Sequence, residues 1–165
     1  MLAETTSLVE FFTGLGYEVG CSEDGAVYVK VMQGENERVC MITPGIKMID
    51  QIPHAMLTFT THMANLEAFQ SGGNEMELTL EFLTRISDHN SLPVMDPFAI
   101  VLLTSETDNA ENDCVVIRAS LVANTDEPYI NEEQIKLMLV QTELALASCE
   151  DIIEEYFETQ TVVVA

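Results

Sequence analysis

Apolar positions along this chain fall into two periods, and the longest stretch with helical spacing lies near its end. Residues 131–158, NEEQIKLMLVQTELALASCEDIIEEYFE, repeat apolar side chains at helical intervals without a Gly or Pro. Pro128 upstream, Asn131 as a side-chain cap, and Glu132 and Glu133 at the positive end of the helix dipole mark its start. A single helix over this run would be roughly 40 Å long at about 1.5 Å per residue. One stripe, comprising Ile135, Met138, Leu139, Leu146, Cys149, Ile152, Ile153, Tyr156 and Phe157, suffices to face a sheet. Leu137, Val140 and Leu144 are apolar too, yet lie off that stripe, which makes them candidate partner-binding or dimer-contact residues. An apolar surface wider than one sheet face needs predicts a second contact, most simply a two-fold partner. The alternative is cover by the first helix or by residues 44–55.

Upstream, Leu8, Phe11, Phe12 and Leu15 share one face of a first helix that Thr5 or Thr6 can cap and that Gly14 and Gly16 end. Residues 17–21 are extended in character and 22–25 form a turn. In AVYVKVMQ, Val27, Val29 and Val31 alternate with Tyr28, Lys30 and Met32, the period of a strand, and residues 34–37 turn back into a second strand at 38–42. Pro44 and Gly45 are expected to stop that strand, and residues 46–55 show no clear period. Residues 56–63, MLTFTTHM, read as a strand, after which ANLEAF can add a helical turn; 71–74 read as a loop. A second amphipathic helix runs from Glu75 to about Asn90, ahead of Pro93. Two apolar runs of strand length, 98–104 and 114–123, are joined by the polar residues 105–113. Hairpins interrupted by helices indicate an α+β fold, an antiparallel sheet of about five strands with three helices, the last of them long. The 165 residues, 47% hydrophobic and without repeats or low-complexity linkers, read as a single domain over 1–165.

Charge narrows the function. The chain carries 28 acids against six cations, Lys30, Arg38, Lys47, Arg85, Arg118 and Lys136, for a net charge of −22. Binding to nucleic acid or to an anionic membrane draws its affinity from basic residues, so neither is an expected partner. An acidic surface does keep a protein with an apolar contact face soluble, and it is compatible with a basic partner. No apolar run approaches the ~18 residues of a membrane span, and no cationic segment followed by an apolar core opens the sequence, which reads as cytoplasmic. Cys21, Cys40, Cys114 and Cys149 have no CxxC or Cys/His spacing and read as reduced, mostly buried thiols.

Chemical signatures are sparse. Asp108, Asn109, Glu111, Asn112 and Asp113 have the side chains of calcium ligands without the glycine and terminal glutamate of an EF-hand loop, and read as a solvated hairpin tip. His54, His62 and His89 lack the spacing of a helical zinc site. Neither a phosphate-cradling glycine loop nor a nucleophile elbow is present. The reading is of a protein that is not an enzyme, with no catalytic residues, metal or cofactor.

The helix LEFLTRISDHN ending in Asn90 before a strand, the hairpin FAIVLLTSETDNAENDCVVIRASLVA and the closing helix in EPYINEEQIKLMLVQTELALASCEDII together resemble the type III secretion chaperone-like fold. Within it they are most similar to the YbjN-type bacterial families. The resemblance runs from residue 80 to 153 and, over the first 65 residues, rests on the order of elements. It implies a small acidic cytoplasmic protein, often a homodimer, that offers apolar helix and sheet surface to a partner polypeptide. Secretion chaperones of this fold hold cargo in part by adding its strand to a sheet edge. The segments at 44–55 and 71–74 depart from the compact secretion chaperones and favour the YbjN-like relatives. The expected function is therefore a chaperone- or adaptor-like protein-binding module, the alternatives being a regulatory interaction protein of the same fold with no secretion role and, further removed, a small-molecule-binding domain.

Overall fold

A computed structural model describes residues 1–65, 75–103 and 114–153. Helix α1 (Thr5–Gly14) is followed by β1 (Val19–Cys21), β2 (Val27–Gln33), β3 (Asn36–Ile49) and β4 (Ile52–Asn65). Helix α2 (Glu75–Asn90), a 3-10 turn (Pro93–Met95), β5 (Ala99–Leu103) and β6 (Cys114–Val122) lead to α3 (Glu132–Ser148) and the four-residue α4 (Glu150–Ile153). All strand pairs are antiparallel, in the order β1-β2-β3-β4-β6-β5. The class is α+β, with six strands among the described residues where about five were expected; the additional one is the three-residue β1.

The first helix ends as its glycines predict. Gly16 adopts φ +94°, its N–H bonds the Thr13 carbonyl and the Tyr17 N–H reaches back to that of Phe12. The Tyr17 ring meets Phe12 edge-on at 6.4 Å, the apolar contact that accompanies this helix stop. Its start differs from expectation. Thr5 is the first helical residue, its hydroxyl donates to the Gly25 carbonyl at 2.6 Å, and Glu4 precedes the helix without a side-chain cap. Thr5 thus ties α1 to the turn ahead of β2, where the Val27, Val29 and Val31 side chains are buried and those between them exposed.

Pro44 and Gly45 do not end the third strand. β3 continues to Ile49, turns at Asp50 and Gln51 with φ of +49° and +68°, and β4 returns from Ile52, four residues earlier than its β-branched run suggests. Two consecutive left-handed residues match the twist of a two-residue hairpin. In such hairpins the closing pair exchanges backbone hydrogen bonds, so Ile49 with Ile52, and hence the odd-numbered residues of β3, face β4. The two-residue turn at Gly34 and Glu35, closed by Gln33 and Asn36, independently turns the even-numbered residues of β3 towards β2. Pro44 is even-numbered and β2 has already ended at Val27 opposite Ile42, so the missing N–H of Pro44 costs no ladder bond.

Asn131 caps α3 as expected, its Oδ1 accepting from the Glu133 N–H at 2.8 Å and the Gln134 N–H at 3.3 Å. Ile135, Met138, Leu139, Thr142, Ala145 and Leu146 are buried. The single helix expected over 131–158 is interrupted at Cys149, whose N–H is shared between the Ala145 and Leu146 carbonyls, so α3 spans roughly 25 Å at about 1.5 Å per residue. The physical reason lies on β2. Gln33 Nε2 donates at 2.7 Å to the Leu146 carbonyl, the acceptor a continuing helix needs for Glu150. Tyr156, Phe157, the 71–74 loop, the 108–113 cluster and the final TVVVA lie outside the described residues.

Helices cover one face of the sheet. α1 packs on β1 and β2, α2 on β5, and α3 on β2, β6 and the 3-10 turn. Their buried side chains join Ile42, Leu57, Phe59 and Ile117 of the sheet in one hydrophobic cluster that includes Cys40 and Cys149. The N-terminal residues pin the approach to α3, with the Ala3 N–H bonding the Pro128 carbonyl and the Ile130 N–H that of Met1.

Candidate contact surfaces

Leu137, Val140 and Leu144 come together on the outer face of α3, 55%, 52% and 53% exposed, while the opposite face of the helix is sealed in the core. Neither α1 nor the 44–55 segment covers them. Ala147, also exposed, extends the same line by one turn. The one ammonium on this helix, that of Lys136, is 3.2 Å from Glu133. Glu143 lies on the α1 side, where burial first and its carboxylate second raise the pKa of the Tyr17 phenol.

A second surface has no counterpart among the residues the sequence singles out. β2 stops pairing at Ile42 and β6 at Met56, so the end of the β3–β4 hairpin projects beyond both neighbouring strands as a two-stranded arm. Ile46 and Met48 are 69% and 60% exposed there, and Ile49 and Ile52 at its tip are exposed as well. By alternation, Ile46, Met48 and Pro53 stand on the same face as the buried Ile42 and Leu57. The even-numbered β3 residues send their backbone groups to the outer edge, where among the described residues no strand neighbours the N–H and C=O of Ile46 and Met48 or the C=O of Pro44. The β4 side is closed further down by the Ala123 N–H on the Ala55 carbonyl at 2.8 Å, and by His54 Nδ1, 2.9 Å from the Ala123 carbonyl. Between Val39 and Asn65 there is one acid, Asp50, and one cation, Lys47, although the whole chain has 28 acids. A long window with a single acid was the available signal, its period masked by Pro44, Gly45 and Pro53.

The structure does not gather the three histidines: His54 and His62 are eight residues apart on β4, and His89 is at the end of α2, with Nε2 3.1 Å from Ser148 Oγ. Among the described residues no group of three His, Cys, Asp or Glu side chains is placed to hold a metal ion. A shallow hollow of about 260 Å³ beside β1 is bridged by the Lys30–Glu18 ion pair at 2.6 Å, whose hydrogen bond lowers the pKa of Glu18 and raises that of Lys30. A wider one of about 390 Å³ lies between α2 and α4, lined by Arg85, Asp88, His89, Leu92 and Ile152. None of the four cysteines forms a disulfide; Cys21 is exposed and Cys114 half-buried. Burial pushes Cys40 up to about 11 and Cys149 up to about 12, so both are neutral and poorly nucleophilic near neutral pH.

Fold and surfaces thus define an acidic α+β protein that exposes apolar side chains on the outer face of α3 and on the β3–β4 arm and has, among the described residues, no helix long and apolar enough to cross a membrane. No protein-family model, no curated protein and no solved structure matches the chain.

Proposed function

We propose that this protein is a non-enzymatic, cytoplasmic protein-binding module of chaperone or adaptor type, which holds a partner polypeptide on apolar helix and sheet surface. The observation that carries the reading is the β3–β4 arm. It offers exposed apolar side chains beside backbone donors and acceptors that face no strand among the described residues, the combination an extended peptide segment uses when it adds to a sheet. A two-stranded ribbon is marginally stable alone in water, so an added strand would also stabilise the arm. The net charge of −22 fits such a role, since repulsion between copies keeps exposed apolar surface from aggregating. The resemblance of residues 80–153 to type III secretion chaperone-like and YbjN-type proteins supports the same reading.

Proline scanning tests this. Met48→Pro removes an N–H that points to the outer edge, whereas Ile49→Pro removes one inside the β3–β4 ladder. Partners captured by cross-linking in the native host should fall about tenfold for Met48→Pro, as expected for loss of a backbone bond and its register. Its melting temperature should stay near that of the parent while that of Ile49→Pro falls. Undiminished capture by Met48→Pro would sink strand addition at this edge. The length of the arm, the part of the chain that departs most from compact secretion chaperones, favours a second reading in which the bound segment belongs to a regulated partner and not to secretion cargo. The identity of the segment cross-linked to Ile46 or Met48 separates the two.

A further inference from the structure

We infer that the outer face of α3 is a docking site for a basic amphipathic helix of a partner protein, separate from the strand edge of the arm. Leu137, Val140, Leu144 and Ala147 follow one another at intervals of three, four and three residues. That is the a/d spacing with which one helix packs along another at a shallow angle; an extended strand, with its period of two, meets such a line only in passing. Rotation of α3 cannot hide the line, because Ile135, Met138, Leu139, Thr142, Ala145 and Leu146 are locked in the core on the other side. From Leu137 to Ala147 the seam runs roughly 15 Å at about 1.5 Å per residue, enough for three turns of a partner helix.

Charge selects the occupant. At the N-terminal end of the seam stand the exposed carboxylates of Glu132 and Glu133 against the single ammonium of Lys136, which Glu133 already holds at 3.2 Å. A second copy of α3 would set these carboxylates against their own kind, on bodies that each carry −22. A helix with apolar a/d positions flanked by Lys or Arg meets complementary charge on approach and on contact. The seam is smaller than the ~800 Å² per partner of a standard interface, so the complex belongs to the weak, micromolar, salt-sensitive class.

The probe is a synthetic fluorophore-labelled peptide with a leucine heptad seam and lysine flanks, titrated with the full chain and followed by fluorescence anisotropy. Two comparators accompany it, one with glutamate flanks and one of identical lysine-rich composition with the seam scrambled. The ordered lysine peptide should bind about tenfold or more tighter than the scrambled one, lose affinity as salt is added, and outcompete the glutamate peptide entirely. The double substitution Val140→Glu with Leu144→Glu adds negative charge yet removes the seam. It should weaken the ordered lysine peptide about tenfold, which simple charge attraction cannot do. Both sites are half exposed, and circular dichroism checks that the variant folds; Leu144→Gln alone carries the test if it does not. Met48→Pro in the arm should leave peptide binding unchanged, so failure here and failure of strand addition there are told apart. Equal affinity for the scrambled peptide, undiminished binding by the α3 variant, or loss of binding in Met48→Pro would each overturn the inference. So would a dimer at micromolar concentration that Val140→Glu dissociates, since it would make a second copy the occupant.

Discussion

Replacing Gln33 tests the long-range contact that ends α3. The residue is 2% exposed, its Nε2 donates at 2.7 Å to the Leu146 carbonyl, and its Oε1 accepts from Arg38 Nε at 2.8 Å. Gln33→Leu keeps most of the side-chain volume and removes both bonds. The Leu146 carbonyl keeps the Cys149 N–H at 3.1 Å and loses one of its two bonds at a cost of ~1 kcal/mol, and the charge-assisted bond from Arg38 adds about 1.5 kcal/mol, the low end of its range because Arg38 is half-buried and can turn to water. The leucine returns ~1–2 kcal/mol through its apolar surface. A net loss of about 1 kcal/mol remains, equivalent to roughly 2–4 °C in melting temperature for a chain of this length. Gln33→Glu is the sharper variant, because it preserves the acceptor for Arg38 but opposes a carboxylate oxygen to the Leu146 carbonyl. Its penalty should ease on acidification, when the introduced carboxyl gains a proton and can donate again. Thermal and urea denaturation followed by circular dichroism give both values, and hydrogen exchange reports opening at the end of α3. A Gln33→Leu protein that melts within about 1 °C of the parent would refute the argument that these buried bonds hold the helix end.

Other outcomes follow from the same geometry. Gln51, at φ +68° in a two-residue turn, sits where glycine is at ease, so Gln51→Gly should stabilise the arm by about 0.5–1 kcal/mol and raise the melting temperature, while Gln51→Val should lower it. A thiol reagent at pH 8 should modify Cys21 first and leave Cys40 and Cys149 untouched until the protein unfolds. Burial raises these two thiols to about 11 and about 12, so the stability they contribute is complete below their unfolded pKa of about 8.5 and is lost as pH climbs through the folded values. Equilibrium unfolding above pH 9 should therefore show a loss that Cys149→Ala reduces. With a net charge of −22, the melting temperature should rise from low salt to physiological salt, where the Debye length is about 8 Å; a flat response would count against self-repulsion.

Features that depend on near neighbours in the chain were readable from the residues. Asn131 bonds N–H groups two and three residues on, Val27, Val29 and Val31 bury one side of a strand by alternation, and Gly16 closes α1 through carbonyls three residues back and within the next contact. The same holds for Leu137, Val140 and Leu144, whose angular offset from the buried stripe follows from helix geometry and which the structure leaves half exposed. The acidic body, too, is a property of composition alone. What the tertiary structure decided turns on neighbours far away in sequence. Whether Pro44 ends a strand depends on which strand stands at its N–H side, and β2 has already stopped at Val27, so β3 runs on and the arm exists. Where α3 ends depends on Gln33, 113 residues before the carbonyl it takes. Local periodicity carries no information about either partner, because both are chosen by the register of the sheet.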